Sequence, residues 1–487
     1  MAFKLNTATH EQPCITCFRM ILAVSPKINL REDITMNILV LNGSPKGNYS
    51  ITLQTVLYLE KTNPGHKFEI LNVGSQIRSY EKDFTSASEA LKNADLILFS
   101  YPVYTFIAPS QLHRFIELMK ASGIDFSDKF ATQITTSKHF YDVTAHKYIQ
   151  ENCQDLKMKF IKGLSADMDD LITKKGQKEA ADFFDYVCWC VENNVYEALP
   201  KSPGVAKHIP VTPLKNTSGK PGNVAIVADL KKEDTQLGNM INRFMGKLPL
   251  NSTLINIHEF PFKGGCISCF NCAVDGKCIY KDGFDTFLRE NIQTADAIVI
   301  AFSIKDHSMG PRFKIYDDRQ FCNGHRTVTM GMPFGYLISG DYSKEANLQL
   351  IVEGRAEVGG NFLAGVATDE FNPDNEIDKL AEKLAYAIEH RYVQPSNFLG
   401  VGGMKIFRDL IWLMQGMMKA DHRFYKKHNQ YDFPQKKRGT MLKMYLVGAL
   451  ISNKKIKAKI GNKMNEGMVA PYKKVIETAA VTSKNSK

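Results

Sequence analysis

The stretch Asn37-Ile38-Leu39-Val40-Leu41 runs without interruption into Asn42-Gly43-Ser44-Pro45-Lys46-Gly47-Asn48-Tyr49-Ser50-Ile51-Thr52. A short apolar run without polar alternation reads as a strand buried on both faces. The segment after it is rich in Gly, Ser, Asn and Thr, and an amphipathic stretch follows over Ile51–Lys61. A loop of that composition at a strand–helix junction offers backbone N–H groups, hydroxyls and a helix N-terminus to an anion. It fits neither G-x-G-x-x-G nor G-x-x-x-x-G-K-[ST], so neither of those nucleotide fingerprints applies.

Outward from this loop the same rhythm continues. Strands are expected at Lys67–Asn72, Asp95–Ser100, Lys129–Thr135 and Lys159–Leu164, with helices at Pro109–Lys120, Phe140–Cys153 and Lys175–Asn193. Strands alternating with helices of this length predict βαβ units and a doubly wound parallel α/β sheet. Residues 199–222 are rich in Pro, Gly, Ser and Lys, lack an apolar period and read as a linker. The rhythm then restarts. Strands are expected at Asn223–Ala228, Ser252–His258, Asp296–Phe302, Gly335–Ser339 and Phe362–Ala367, with helices between them and one at Glu376–His390. The chain therefore divides into an N-terminal extension (1–35), a first α/β domain (36–198), the linker, a second α/β domain (223–398) and a helical basic tail (399–487). The two α/β segments read as tandem copies offset by about 185 residues.

The 487 residues carry a formal charge of +11, but that figure misdescribes the body. From Val401 onward there are 19 Lys and Arg against 5 Asp and Glu, a surplus of 14, so everything upstream sums to −3. Within the tail, Gly400-Val401-Gly402-Gly403 reads as a flexible joint before a helix over Met404–Lys419. A second apolar stretch, Met441–Ile451, leads into Asn453-Lys454-Lys455-Ile456-Lys457-Ala458-Lys459. Such a segment packs on its own protein or makes peripheral contact with an anionic membrane. No recognised module accompanies the charge, so nucleic acid is not expected as a partner. No apolar run is long enough for a spanning helix and no secretory signal pattern precedes Met36, so the expected location is cytoplasmic.

Two further loops belong with the first. Ser100-Tyr101-Pro102-Val103-Tyr104-Thr105 follows the third strand, and Thr135-Thr136-Ser137-Lys138-His139 ends the fourth. Loops at the carboxyl ends of adjacent parallel strands form the crevice where such sheets bind ligands. The combination of N-G-S-P-K-G-N-x-S-x-T with a S-x-P-V-Y loop resembles the NAD(P)H-dependent FMN reductase family, of flavodoxin-like fold. That resemblance implies that Ser44, Lys46, Asn48, Ser50 and Thr52 surround the FMN phosphate. It also implies that Pro102, Val103, Tyr104 and Thr105 contact the isoalloxazine ring, with Thr136 and Ser137 at the same edge, and it implies a homodimer.

The second copy lacks this loop, since its first strand runs into Asp229-Leu230-Lys231-Lys232-Glu233-Asp234, where a phosphate would meet carboxylates. It carries instead Gly264-Gly265-Cys266-Ile267-Ser268-Cys269-Phe270-Asn271-Cys272 and then Gly276-Lys277-Cys278. Four thiols in the pattern C-x2-C-x2-C-x5-C suit the corners of a cubane cluster. Zinc sites more often use two well-separated C-x-x-C pairs. Structural or redox-active thiols are the third reading. The segment resembles the iron-sulfur flavoprotein branch of the same superfamily, which implies a [4Fe-4S] cluster held by Cys266, Cys269, Cys272 and Cys278. Cys153, Cys188, Cys190 and Cys322 sit in apolar surroundings and read as small core residues, and Cys14 with Cys17 forms an isolated C-x-x-C.

The function expected from these features is an NAD(P)H-dependent FMN oxidoreductase passing electrons through the cluster to a small-molecule or protein acceptor. A cluster-free quinone, nitro or azo reductase and a non-enzymatic flavodoxin-like electron carrier are the alternatives.

Overall fold

The computed structural model describes residues 35–197, 208–215, 220–394 and 397–452. The Cys14–Cys17 pair and the basic run at 453–459 lie outside these residues. In chain order the first half contains β1 (Asn37–Asn42), α1 (Ile51–Thr62), β2 (Lys67–Leu71), α2 (Val73–Lys82) and α3 (Thr85–Asn93). It continues with β3 (Leu96–Pro102), α4 (Ser110–Ala121), β4 (Phe130–Ser137), α5 (Asp142–Asp155), β5 (Lys159–Phe160), β6 (Leu164–Asp167) and α6 (Lys174–Glu192). The second half contains β7 (Lys220–Ala228), α7 (Thr235–Lys247), β8 (Leu250–Asn256), α8 (Asn271–Asp275), α9 (Phe284–Phe287) and β9 (Ala297–Ser303). After these come α10 (Gly310–Arg319), β10 (Pro333–Ser339), α11 (Ala346–Gly359), β11 (Phe362–Thr368) and α12 (Pro373–Glu389).

Both sheets are parallel and share one topology. The first runs β2-β1-β3-β4-β5, with β6 also pairing β4, and the second runs β8-β7-β9-β10-β11. This 2-1-3-4-5 order is that of the flavodoxin-like fold. The continuous apolar strands follow from burial on both faces. In the first sheet Ile38 and Val40 face a layer holding Leu53, Val56 and Phe184, while Leu39 and Leu41 face Leu112, Phe115 and Tyr148. The expected strand over Lys159–Leu164 is split in two at Gly163, where a Cβ would lie 2.3 Å from the side chain of Gln133.

The halves meet through corresponding helices, α4 against α10 and α5 against α11. Ile351 and Val358 of α11 belong to the same buried cluster as Phe106, Phe115 and Tyr148 of the first half. The segment 208–215, read as linker, packs on the second half. Ile209 N–H donates to Asp369 O at 2.8 Å, Thr212 O accepts from Arg243 at 3.1 Å, and Val211 is buried beside α7. The presumed glycine joint at 400–403 lies instead inside α13 (Phe398–Leu413). A Cβ at Gly403 would sit 2.5 Å from Val358 Cγ2, so glycine there serves close packing rather than flexion. Residues 408–452 belong to a second compact unit, which includes α14 (Lys419–Lys427) and α15 (Arg438–Ser452). Among the described residues no helix is long and apolar enough to cross a membrane.

Candidate functional site

The loop after β1 is held from below. Gly43 N–H donates to Ser100 O at 2.9 Å, and Asn42 Nδ2 donates to Gly47 O (2.9 Å) and to Asn72 Oδ1 (2.8 Å). Asn72 in turn donates to Asn48 Oδ1 at 3.0 Å. Gly47 has φ +53°, a left-handed conformation that suits glycine. Gly74 of α2 comes so near that a Cβ would lie 2.4 Å from Gly43 O. The Ser50 side chain accepts from Leu53 N–H at 3.4 Å and caps α1, whose first N–H groups have no acceptor within the helix. Of the residues expected around a phosphate, Ser44, Ser50 and Thr52 are buried, while Lys46 is half-buried and Asn48 exposed. The Thr52 and Thr136 hydroxyls meet at 2.6 Å, which ties the loop to the end of β4. Ser137 Oγ accepts from His139 N–H at 2.9 Å.

The loop after β3 makes a tight turn at Thr105 (φ +44°) and Phe106 (φ +74°), closed by paired hydrogen bonds between Tyr104 and Ile107. The second half builds the same turn at Asp306 (φ +51°) and His307 (φ +60°), closed between Lys305 and Ser308. Pro102 and Val103 remain half-buried beside this turn. Tyr104 and Thr105 are held by the second half. Thr105 Oγ1 donates to Asp317 Oδ2 at 2.6 Å, and Lys314 Nζ donates to Tyr104 O (3.0 Å) and Thr105 Oγ1 (2.5 Å). Ser110 N–H donates to Asp318 at 2.9 Å, and Arg355 donates to Thr105 O at 3.1 Å. Burial raises the Asp318 carboxyl above the ordinary range against the pull of Lys314. At Asp317 burial acts the same way, but Arg355 and Lys314 outweigh it and hold the carboxyl low.

The cysteine loop of the second half lies directly against these elements. Gly265 packs on α4 so closely that a Cβ would stand 2.4 Å from Ser110 Oγ, and Gln111 Nε2 donates to Cys266 O at 3.4 Å. Ser268 (φ +51°) and Phe270 (φ +59°) adopt left-handed conformations between the cysteines, a cost that such loops tolerate where geometry is over-determined. Ser268 N–H points to Cys266 Sγ at 3.4 Å. The Lys46 ammonium sits 4.9 Å from the centre of the Phe270 ring. Burial lowers its affinity for a proton, while Cys266 and Cys269 act in the opposite direction. Burial pushes the Tyr104 phenol up, with Ser268 acting in the opposite direction. The two motifs that lie some 220 residues apart in sequence thus share one edge of the first sheet.

One arginine clamps both ends of the cysteine loop. Arg319, fully buried, donates to Gly264 O at 3.0 Å and makes two 2.8 Å bonds to Asp282. Its guanidinium lies 4.3 Å from the centre of the Tyr280 ring. Burial opposes the Asp282 charge, but the Arg319 pair holds that carboxyl down at about 2. Burial also lifts the Cys266 thiol to about 12. Cys322, read from sequence as a small core residue, is buried next to this motif. Cys272 Sγ donates to Phe321 O at 3.0 Å, and burial with Cys278 and Cys272 nearby lifts the Cys322 thiol to about 12. Only tertiary structure could reveal this neighbour, because 44 residues separate it from Cys278.

Among the described residues no three of the motif sulfurs lie mutually within 4.8 Å. Away from this edge, Glu151, His307 and Glu345 bring one ligand atom each within 4.8 Å at the junction of the halves. His307 is ion-paired there to Asp155 and Glu345, both at 3.0 Å.

Residues 36–165 match the model of the flavodoxin-like fold family. Solved structures similar to this chain include an NAD(P)H:quinone oxidoreductase from Methanothermobacter marburgensis, 11% identical, covering 34% of this chain and 100% of that one (TM-score 0.27). An NADH:FMN oxidoreductase in its apo form is 14% identical, covering 35% and 92% (TM-score 0.28). An FMN-dependent NADH-azoreductase from Bacillus anthracis str. Ames Ancestor is 11% identical, covering 32% and 99% (TM-score 0.25). No curated protein matches the chain.

Proposed function

We propose that this protein is an NAD(P)H-dependent FMN oxidoreductase whose electrons pass through a [4Fe-4S] cluster at Cys266, Cys269, Cys272 and Cys278. The observation that carries the reading is that the cysteine loop meets both the β1–α1 loop, through Lys46 on Phe270, and the start of α4, through Gln111 on Cys266. FMN when bound supplies two-electron chemistry with a pyridine nucleotide, and a cluster supplies single-electron exchange.

The chain's own residues account for the binding. The N-terminus of α1 with Ser44, Ser50, Thr52 and Lys46 suits a phosphate, because it combines unpaired N–H groups with a cation. Lys314 and Arg355 hold the Tyr104–Thr105 turn so that the ring wall is fixed before a ligand arrives. The donor set at the cysteines suits a cluster: four thiols, an N–H···S bond to one of them, and glycines at both ends. Because Cys266 is protonated at neutral pH without metal, loading the site releases protons and tightens as pH rises.

The test is an anaerobic purification with flavin and iron quantified on one sample. About four iron and one FMN per chain support the reading. Cys269→Ser is expected to lose iron and keep flavin. Flavin without iron reduces the protein to a plain flavin reductase, and a colourless protein sinks the proposal.

A further inference from the structure

In the second compact unit, α15 presents large apolar side chains to solvent on several sides. Leu442 is 64% exposed, Tyr445 75% and Leu446 61%, with Met441, Val447 and Leu450 also exposed. At 100° per residue Met441, Leu442, Tyr445 and Leu446 fall within one arc of about 140°, and Lys443 lies outside it. The apolar stretch is eleven residues long, too short to span a bilayer and of the length that lies in an interface.

Charge identifies the occupant. No Asp or Glu occurs between Asp432 and Glu466, and nine Lys or Arg do, among them Lys436, Lys437, Arg438 and Lys443 on or beside the helix and Lys454 and Lys455 just after it. A second copy laid on this helix would set two such runs against each other. Nucleic acid would satisfy the cations and leave the leucines in water. An anionic lipid surface satisfies both, with acyl chains for the apolar side chains and headgroups for the lysines. We propose that α15 is a peripheral membrane anchor that lies in the headgroup region of an anionic bilayer. The proposal is independent of the flavin and cysteine chemistry.

Flotation of the full-length protein with vesicles tests it, one set of phosphatidylcholine alone and one of equal parts phosphatidylcholine and phosphatidylglycerol. Partition into the anionic vesicles is expected to exceed that into the neutral ones by about ten-fold or more. Leu442→Ser with Leu446→Ser lowers partition by about ten-fold at an unchanged melting temperature. Lys454→Gln with Lys455→Gln lowers it by a similar factor in the anionic vesicles only. Wild-type protein that stays with the aqueous fraction overturns the proposal. So does duplex DNA that strips the protein from vesicles while the leucine variant binds as before. A leucine variant that melts earlier, or that dissociates a lipid-free dimer, assigns the helix to the chain itself or to a second copy and overturns it equally.

Discussion

At the residue scale, the site depends on a few charged side chains that fix its loops. Arg319 and Asp282 are each about 1% exposed and bonded at two points. Removing one partner strands a buried charge, which typically costs about 3–5 kcal/mol, whereas replacing both with apolar groups of similar size is often neutral. Arg319→Ala is thus expected to lower the urea midpoint sharply, and the double variant Arg319→Met, Asp282→Leu to recover most of it. Lys46 carries a different prediction. Its cation stands beside the β1–α1 loop, and a charge-assisted contact to phosphate is worth about 1.5–3 kcal/mol. Lys46→Ala should therefore weaken FMN binding about ten-fold or more in a fluorescence titration while leaving the melting temperature unaltered. The loop residues around Lys46 were legible because their composition at a strand–helix junction has a direct physical meaning. Arg319 was not legible, because a guanidinium in α10 acquires its role only when the cysteine loop folds over it.

At the element scale, the interface between the halves is built from matching parts. The β3–α4 and β9–α10 turns share a left-handed geometry at non-glycine residues, and each is pinned by the opposite half. His307 lies in the second of these turns, facing Asp155, Glu345 and Glu151, with Lys120 and Asp306 paired close by. Burial opposes its charge, yet the bonds to Asp155 and Glu345 lift it to about 10. An unfolded histidine titrates at about 6.5, so this contribution is complete below about pH 6.5 and is lost as pH rises through about 10. Glu151, which burial lifts to about 7, acts in the same direction. Asp155, held near 2 by His307 and Lys120 against its burial, loses its contribution only below about pH 4. Melting temperature is expected to fall between pH 6 and pH 10, and His307→Gln to flatten that fall. A wild-type curve that stays flat over this range would show that the cluster does not couple to folding. The helices α4, α5, α10 and α11 were expected from periodicity, but their pairing was not, since each helix shows only that it has an apolar face.

At the scale of the whole molecule, the second half provides the wall of the first half's crevice. The buried cluster of the first sheet includes Ile351 and Val358 from the second half. Residues 35–197 expressed alone are therefore expected to dimerise or aggregate in size-exclusion chromatography. Co-expression with residues 208–407 should return a one-to-one complex, and a stable monomer from the first half alone would argue against a structural interface. By itself the sequence determined both parallel α/β segments, the anion loop at residues 43–52, the four-cysteine motif and the basic tail. These are local facts, because strand burial, helix period, loop composition and cysteine spacing are each written within a few dozen residues. Tertiary structure alone decided that the cysteine loop rests on Lys46 and Gln111, that Cys322 neighbours Cys272, and that Thr105 bonds Asp317. Those contacts join residues from about 50 to more than 200 positions apart, and they exist only because two sheets of the same strand order pack through corresponding helices.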